Sequence, residues 1–167
     1  GVRGGEAIRR GAVGPGAGFH AGANRPPWPQ APTVVSRPTE IQAGPAIVHW
    51  EQFIGPAPMR PYNNAYHPFS WRGWLDFGTG ALGDMGCHIY SPPYRALKLT
   101  SPISVTASGP APTGDTWATK ATCRLTYPGT EVTAGSTVDV WWSDGGEMPP
   151  EAVRAPVGGR RPQQGSI

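Results

Sequence analysis

Asp84 and His88 are four residues apart in the stretch 67–99, HPFSWRGWLDFGTGALGDMGCHIYSPPYRALKL. On a helix that spacing is about one turn and places both side chains on one face. A carboxylate beside an imidazole raises its basicity and fixes its tautomer, as a proton-transfer site requires. Read by pattern alone, His88 is equally a core histidine satisfied by a backbone carbonyl. Asp84 is equally an acid that stabilises a helix N-terminus through the dipole. Upstream, Trp71, Trp74 and Phe77 are placed to form an apolar wall that excludes water. Trp71 and Trp74 read either as packing or as a stacking platform for a sugar. Arg72 and Asp76 either hydrogen-bond a polyol or pair with each other. His67, before Pro68, is a substrate ligand or a structural aromatic contact. No metal site is expected from Asp84, Cys87 and His88, because adjacent residues on a helix point about 100° apart.

The element that must carry Asp84 and His88 is a helix. Leu82, Met85, Ile89 and Tyr90 recur at helical spacing. The pattern predicts a start near Thr79–Ala81 and an end before Pro92–Pro93, since the residue before a proline disfavours helix. Tyr94–Leu99 then reads as a short second helix. Gly78–Gly83 matches G-x-G-x-x-G, but WRGWLDF before it is not a buried parallel strand and the next acid beyond Asp84 is Asp115. The dinucleotide fingerprint is therefore rejected. The near-match GAGFHA at 16–21 is rejected too, because it opens no helix.

The stretch Gly80-Ala81-Leu82-Gly83-Asp84-Met85-Gly86-Cys87-His88-Ile89-Tyr90-Ser91 resembles the G-x-x-x-D-x-G-x-H-x-x-D signature of the Gfo/Idh/MocA oxidoreductases. Trp50-Glu51-Gln52-Phe53-Ile54-Gly55-Pro56-Ala57-Pro58, Arg60-Pro61-Tyr62 and Trp71-Arg72-Gly73-Trp74-Leu75-Asp76-Phe77-Gly78 are similar to motifs of that family's bacterial subgroup. The resemblance as a whole covers most of residues 1–146. Ser91 stands where the signature ends in Asp, Leu75 replaces the second Trp of W-W-D-F, and Phe53 replaces the second Trp of W-x-x-W. The resemblance implies hydride transfer between NAD or NADP and a sugar, polyol or related hydroxy compound. It implies His88 as the catalytic base with Asp84 orienting it or the substrate. Trp71, Arg72, Trp74, Asp76 and His67 are candidates for substrate binding. Gly83 and Gly86 would leave room for the cofactor ring. It also implies a homo-oligomer assembled through the sheet. The family's Glu-Lys-Pro lysine has no counterpart, because Lys98 and Lys120 neither follow Glu nor precede Pro. The expectation is a fragment whose Rossmann domain is absent and which is inactive alone. The alternatives are a non-catalytic carbohydrate-binding or interaction module and a decayed family member.

Composition limits the other classes. The 167 residues include 24 Gly and 21 Pro, with 38% hydrophobic residues, close to the level at which disorder enters the reading. Seven tryptophans and the ordered motifs argue against disorder throughout. The net charge of +3 is scattered, with no basic run, so no nucleic-acid partner is expected. No apolar run approaches a membrane span. Cys87 and Cys123 form no CxxC and do not fix a compartment, which stays open between cytoplasmic and exported. There is neither an initiator Met nor a signal-peptide pattern, so the first residue reads as internal to a longer protein.

The fold class expected is α+β: a partial open antiparallel sheet, a central helix and long Pro/Gly-rich loops. Residues 1–12 read as the end of a nucleotide-domain helix, 13–146 as a partial substrate domain and 147–167 as a disordered tail. Val13–Ala23 is a glycine-weakened first strand, 24–46 an extended loop, Ile47–Ile54 helical and 55–70 a second proline-rich loop. Ser101–Ser108, Thr116–Tyr127 and Glu131–Trp142 alternate as strands, with a Pro128-Gly129 turn. Ile103, Val105 and Ala107 share one face. Val138, Val140 and Trp142 form the face expected to be buried, opposite Thr137, Asp139 and Trp141.

Overall fold

A computed structural model describes residues 15–25, 36–155, 158 and 164–166. The helix end expected at 5–12 and residues 26–35 of the first long loop lie outside the described residues. Alternation builds the sheet. Val138, Val140 and Trp142 of β4 (Thr137–Ser143) are all buried. Cys123 and Tyr127 of β3 (Thr122–Pro128) join them on the same face, as do Phe19, Ala21 and Ala23 of β1 (Gly18–Ala23). With β2 (Ser104–Ser108) and β5 (Gln164–Ser166) the strand order is β2-β3-β4-β1-β5.

The expected antiparallel pairing holds for β2-β3-β4, with Val105 opposite Leu125 and Leu125 opposite Val140. β1 adds to β4 in parallel, Phe19 opposite Val140, so the sheet is mixed. The glycines of β1 are part of that pairing. A Cβ on Gly18 or Gly22 would sit 2.7 Å from the Asp139 or Ser143 carbonyl oxygen. β2 is exposed along its whole length, and Ile103 and Val105 remain open to solvent at the sheet edge.

One helix covers the inner face. α2 (Gly80–Ala96) follows the short α1 (Trp50–Ile54) and a 3-10 turn at Ser70–Gly73. Leu82, Met85, Ile89, Tyr90 and Tyr94 of α2 pack against the sheet core. Tyr90 meets Phe19 and Trp142 edge-on, with ring centroids 5.7 and 5.9 Å apart. The expected stop before Pro92 is corrected, and so is the separate helix at Tyr94–Leu99. α2 runs through both prolines and ends at Ala96, and Leu97 N–H donates to the Pro93 carbonyl at 2.9 Å. Proline removes the bonds that would reach the His88 and Ile89 carbonyls. Packing of Ile89, Tyr90 and Tyr94 against the sheet outweighs that loss. Within 147–167, read as an aperiodic tail, the structure has α3 (Glu151–Arg154) and β5, which pairs antiparallel with β1. A strand of three residues is too short to carry an alternation that the sequence could reveal.

Beyond β4, Asp144 is buried and accepts hydrogen bonds from the Trp142 indole N–H at 2.6 Å and the Ala121 N–H at 2.7 Å. Burial raises its pKa above the usual carboxylate value, against the pull of those two bonds. A carboxyl group raised in the folded state contributes stability below its unfolded pKa and loses it as pH rises through the folded value. Asn has one acceptor where this site needs two, so Asp144→Asn leaves one buried donor unpaired and costs about 1–3 kcal/mol. Urea unfolding over a pH series checks both points. The stability gap between wild type and variant is widest at acid pH and narrows as pH rises.

Candidate functional site on the outer face of α2

The start of α2 is fixed from outside the helix. Gly80 has φ +66°, and a Cβ there would lie 2.9 Å from Cγ of Trp117. The Trp117 indole N–H donates to the Gly78 carbonyl at 2.8 Å. Trp117 therefore covers the glycine run at the site where a phosphate cradle would form. At Gly83 an added Cβ would collide with the Thr79 side chain. The residues 78–83 do not fit a dinucleotide pyrophosphate.

With Leu82, Met85, Ile89 and Tyr90 turned to the sheet, the outer face of α2 carries Gly83, Asp84, Cys87, His88, Ser91 and Arg95. His88 is exposed on that face, so the core-histidine reading does not describe it. Gly86 is buried, and its Cβ would lie 3.2 Å from Leu82 Cδ1. The expectation that Gly86 opens the helix to a cofactor ring is corrected. It packs within its own helix, while Gly83 is on the exposed side.

Asp84 does share a face with His88, but its charge partner is Arg72. Arg72 Nε lies 3.4 Å from Asp84 Oδ1, with both side chains about three-quarters buried. The expected Arg72–Asp76 alternative pairing is absent. Asp76 is bonded instead to Arg60 and, at 3.1 Å, to Arg37, which also reaches Asp115 at 2.7 Å. The Arg72 guanidinium lies over the Trp71 ring at 4.4 Å and the Phe69 ring at 4.5 Å, and donates to the Phe69 carbonyl at 2.9 Å. Trp71, Arg72 and Asp84 thus meet beside the outer face of α2. Phe69, 44% exposed, belongs with them. Its only sequence signal was an aromatic in a proline-rich loop.

The remaining sequence candidates go elsewhere. Trp74 is 0% exposed, with its ring 4.8 Å from Tyr66 and its indole N–H donating to the Ala65 carbonyl at 2.7 Å. The sugar-platform reading of Trp74 is corrected to packing. His67 sits edge-on to Phe53 at 5.1 Å with a buried Nδ1, which is the structural-contact reading of that residue. Asp76 neutralises Arg60, which is buried and lies 4.9 Å from the Phe77 ring. Trp50, Phe53, Tyr62, Tyr66, Trp74 and Phe77 form a second, aromatic core. In that core the Trp50 indole N–H donates to the Arg60 carbonyl at 2.7 Å. The motif residues of 50–78 hold the proline-rich loops together through these contacts. Among the described residues no three His, Cys, Asp or Glu side chains are grouped to hold a metal, and no helix is long and apolar enough to cross a membrane.

A helix laid on an open mixed sheet, with histidine and aspartate on its outer face, is an α+β arrangement. The family described as "Oxidoreductase family, C-terminal alpha/beta domain" matches residues 33–139, and the chain belongs to that Gfo/Idh/MocA family. Comparison with curated proteins gives no match.

Proposed function

We propose that this chain supplies the substrate half of an NAD(P)-dependent oxidoreductase acting on a sugar, polyol or related hydroxy compound. The observation that carries it is His88 exposed on the outer face of α2, one turn from Asp84, in a chain that belongs to an oxidoreductase family. A nicotinamide cofactor would supply the hydride chemistry. His88 takes the proton from the oxygen of the substrate hydroxyl, whose carbon would give up the hydride. Asp84 acts through Arg72: the pair holds the Phe69–Trp71 loop against α2 and so shapes the wall beside the imidazole. Residues 78–83 do not receive the cofactor phosphates. The chain alone is therefore expected to show no micromolar binding when titrated into NADH and followed by nicotinamide fluorescence. Micromolar affinity would overturn that division of labour.

The reading is tested on the protein joined to its nucleotide-binding half. Nicotinamide reduction is followed with a panel of sugars, polyols and hydroxy acids at neutral and alkaline pH. Turnover with at least one hydroxy compound is expected, and none with any of them would overturn the reading. The outer face of the sheet, where Trp141 stacks on His20 and Arg124 pairs with Asp139 at 2.5 Å, is the proposed self-association surface.

A further inference from the structure

We infer that the Phe69–Trp71–Arg72 corner selects a ligand bearing a carboxylate, an acidic sugar or ring hydroxy acid in preference to a neutral polyol. The inference rests on the proposed reading that this corner is the substrate wall. A guanidinium has five N–H donors in one plane. The Arg72 guanidinium carbon lies 4.4 Å from the Trp71 ring centroid and 4.5 Å from that of Phe69, so aromatic surface occupies its face and favours partners at its edges. One edge donates to the Phe69 carbonyl at 2.9 Å. The Asp84 contact is long, at 3.4 Å, and comes through Nε alone. No hydrogen bond from Nη2 is formed among the described residues. The group is held flat, partly desolvated and short of acceptors, which suits in-plane recognition of a carboxylate.

A second cation is already present. The Arg25 guanidinium lies 5.6 Å from the centroid of the same Phe69 ring that Arg72 covers. Two guanidinium groups therefore lie against one exposed aromatic ring. A sugar ring stacked on Phe69 or Trp71 would carry its carboxylate into the guanidinium plane. Asp84 is then a competitor for Arg72, as well as its anchor. That predicts an unusual sign: removing the Asp84 charge strengthens ligand binding.

The test uses this chain and needs no cofactor. Sodium D-glucuronate, D-glucose and inorganic phosphate are titrated separately, and NMR follows the Trp71 indole N–H and the backbone amides of 69–72. Glucuronate is expected to shift these signals saturably and to bind at least about tenfold more tightly than glucose, the scale of one charge-assisted hydrogen bond. Arg72→Gln removes that preference while the buried Trp142 indole signal stays in place. Asp84→Asn tightens glucuronate several-fold, a gain that loss of folding cannot mimic. Equal binding of glucose and glucuronate would overturn the carboxylate inference and leave the sugar reading standing. Tighter binding of phosphate than glucuronate would overturn it in favour of a phosphate site. So would a preference that survives Arg72→Gln, or no saturable shift with glucuronate. Absence of hydride transfer in the joined protein would count against the proposed reaction without changing what this titration reports.

Discussion

His88→Ala lowers turnover of the joined protein by about 100- to 10,000-fold, the usual contribution of a general base, and changes substrate KM far less. The split follows from the geometry. His88 is exposed on the outer face of α2 and supports none of the sheet contacts, which belong to Leu82, Met85, Ile89 and Tyr90. Truncation therefore leaves the fold intact, and circular dichroism and unfolding midpoint stay at wild-type values. Cys87→Ser is the control. Its thiol is exposed on the same turn and rests 3.5 Å from the Asp84 carbonyl oxygen, and no proton-transfer role is assigned to it. Asp84→Asn falls between the two, because it keeps the shape and loses the pairing with Arg72. Turnover unchanged by His88→Ala in a folded protein would remove the catalytic assignment.

Trp74→Ala costs about 3–5 kcal/mol of stability, the range for deleting a large aromatic from a core. Trp74 is fully enclosed, packs on Tyr66 and satisfies the Ala65 carbonyl. Its loss opens a cavity in the aromatic core, leaves that carbonyl without its donor and loosens the turn that delivers Arg72 to Asp84. A small domain has only about 5–15 kcal/mol to lose, so the variant is expected to be partly unfolded at moderate temperature. Trp71→Ala, three residues earlier, removes a partly exposed ring and stays within about 1 kcal/mol. Urea denaturation of the two variants reads the difference directly. Equal and small losses would mean that residues 50–78 are not held by an aromatic core.

The covalent order of residues determined several parts of this protein. Alternation in 137–143 settled which side of β4 is buried, because strand side chains alternate between faces and only one face meets a helix. The 3.6-residue rhythm of Leu82, Met85, Ile89 and Tyr90 settled which side of α2 faces the sheet and, by subtraction, which side presents Asp84 and His88. The motifs at 50–62, 71–78 and 80–91 identified the family. Each of these is local or additive along the chain.

Only the tertiary structure decided which partner each charged or aromatic side chain takes. Arg72 and Asp76 are one turn apart in sequence, yet Arg72 goes to Asp84 while Asp76 goes to Arg60 and Arg37. Trp71 and Trp74 look alike in the sequence, yet one flanks the site and the other is sealed in the aromatic core. Local propensity stops a helix at Pro92, but α2 continues to Ala96 because the next turn places Tyr94 against Tyr127 of the sheet. β1 reads in the sequence as a glycine-weakened strand, and only the structure shows that it pairs with β4 in parallel. In every case the deciding energy is a contact between segments many residues apart. Such contacts exist only after the chain has closed on itself, so spacing along the sequence could name the chemistry near His88 but not the side chains that surround it.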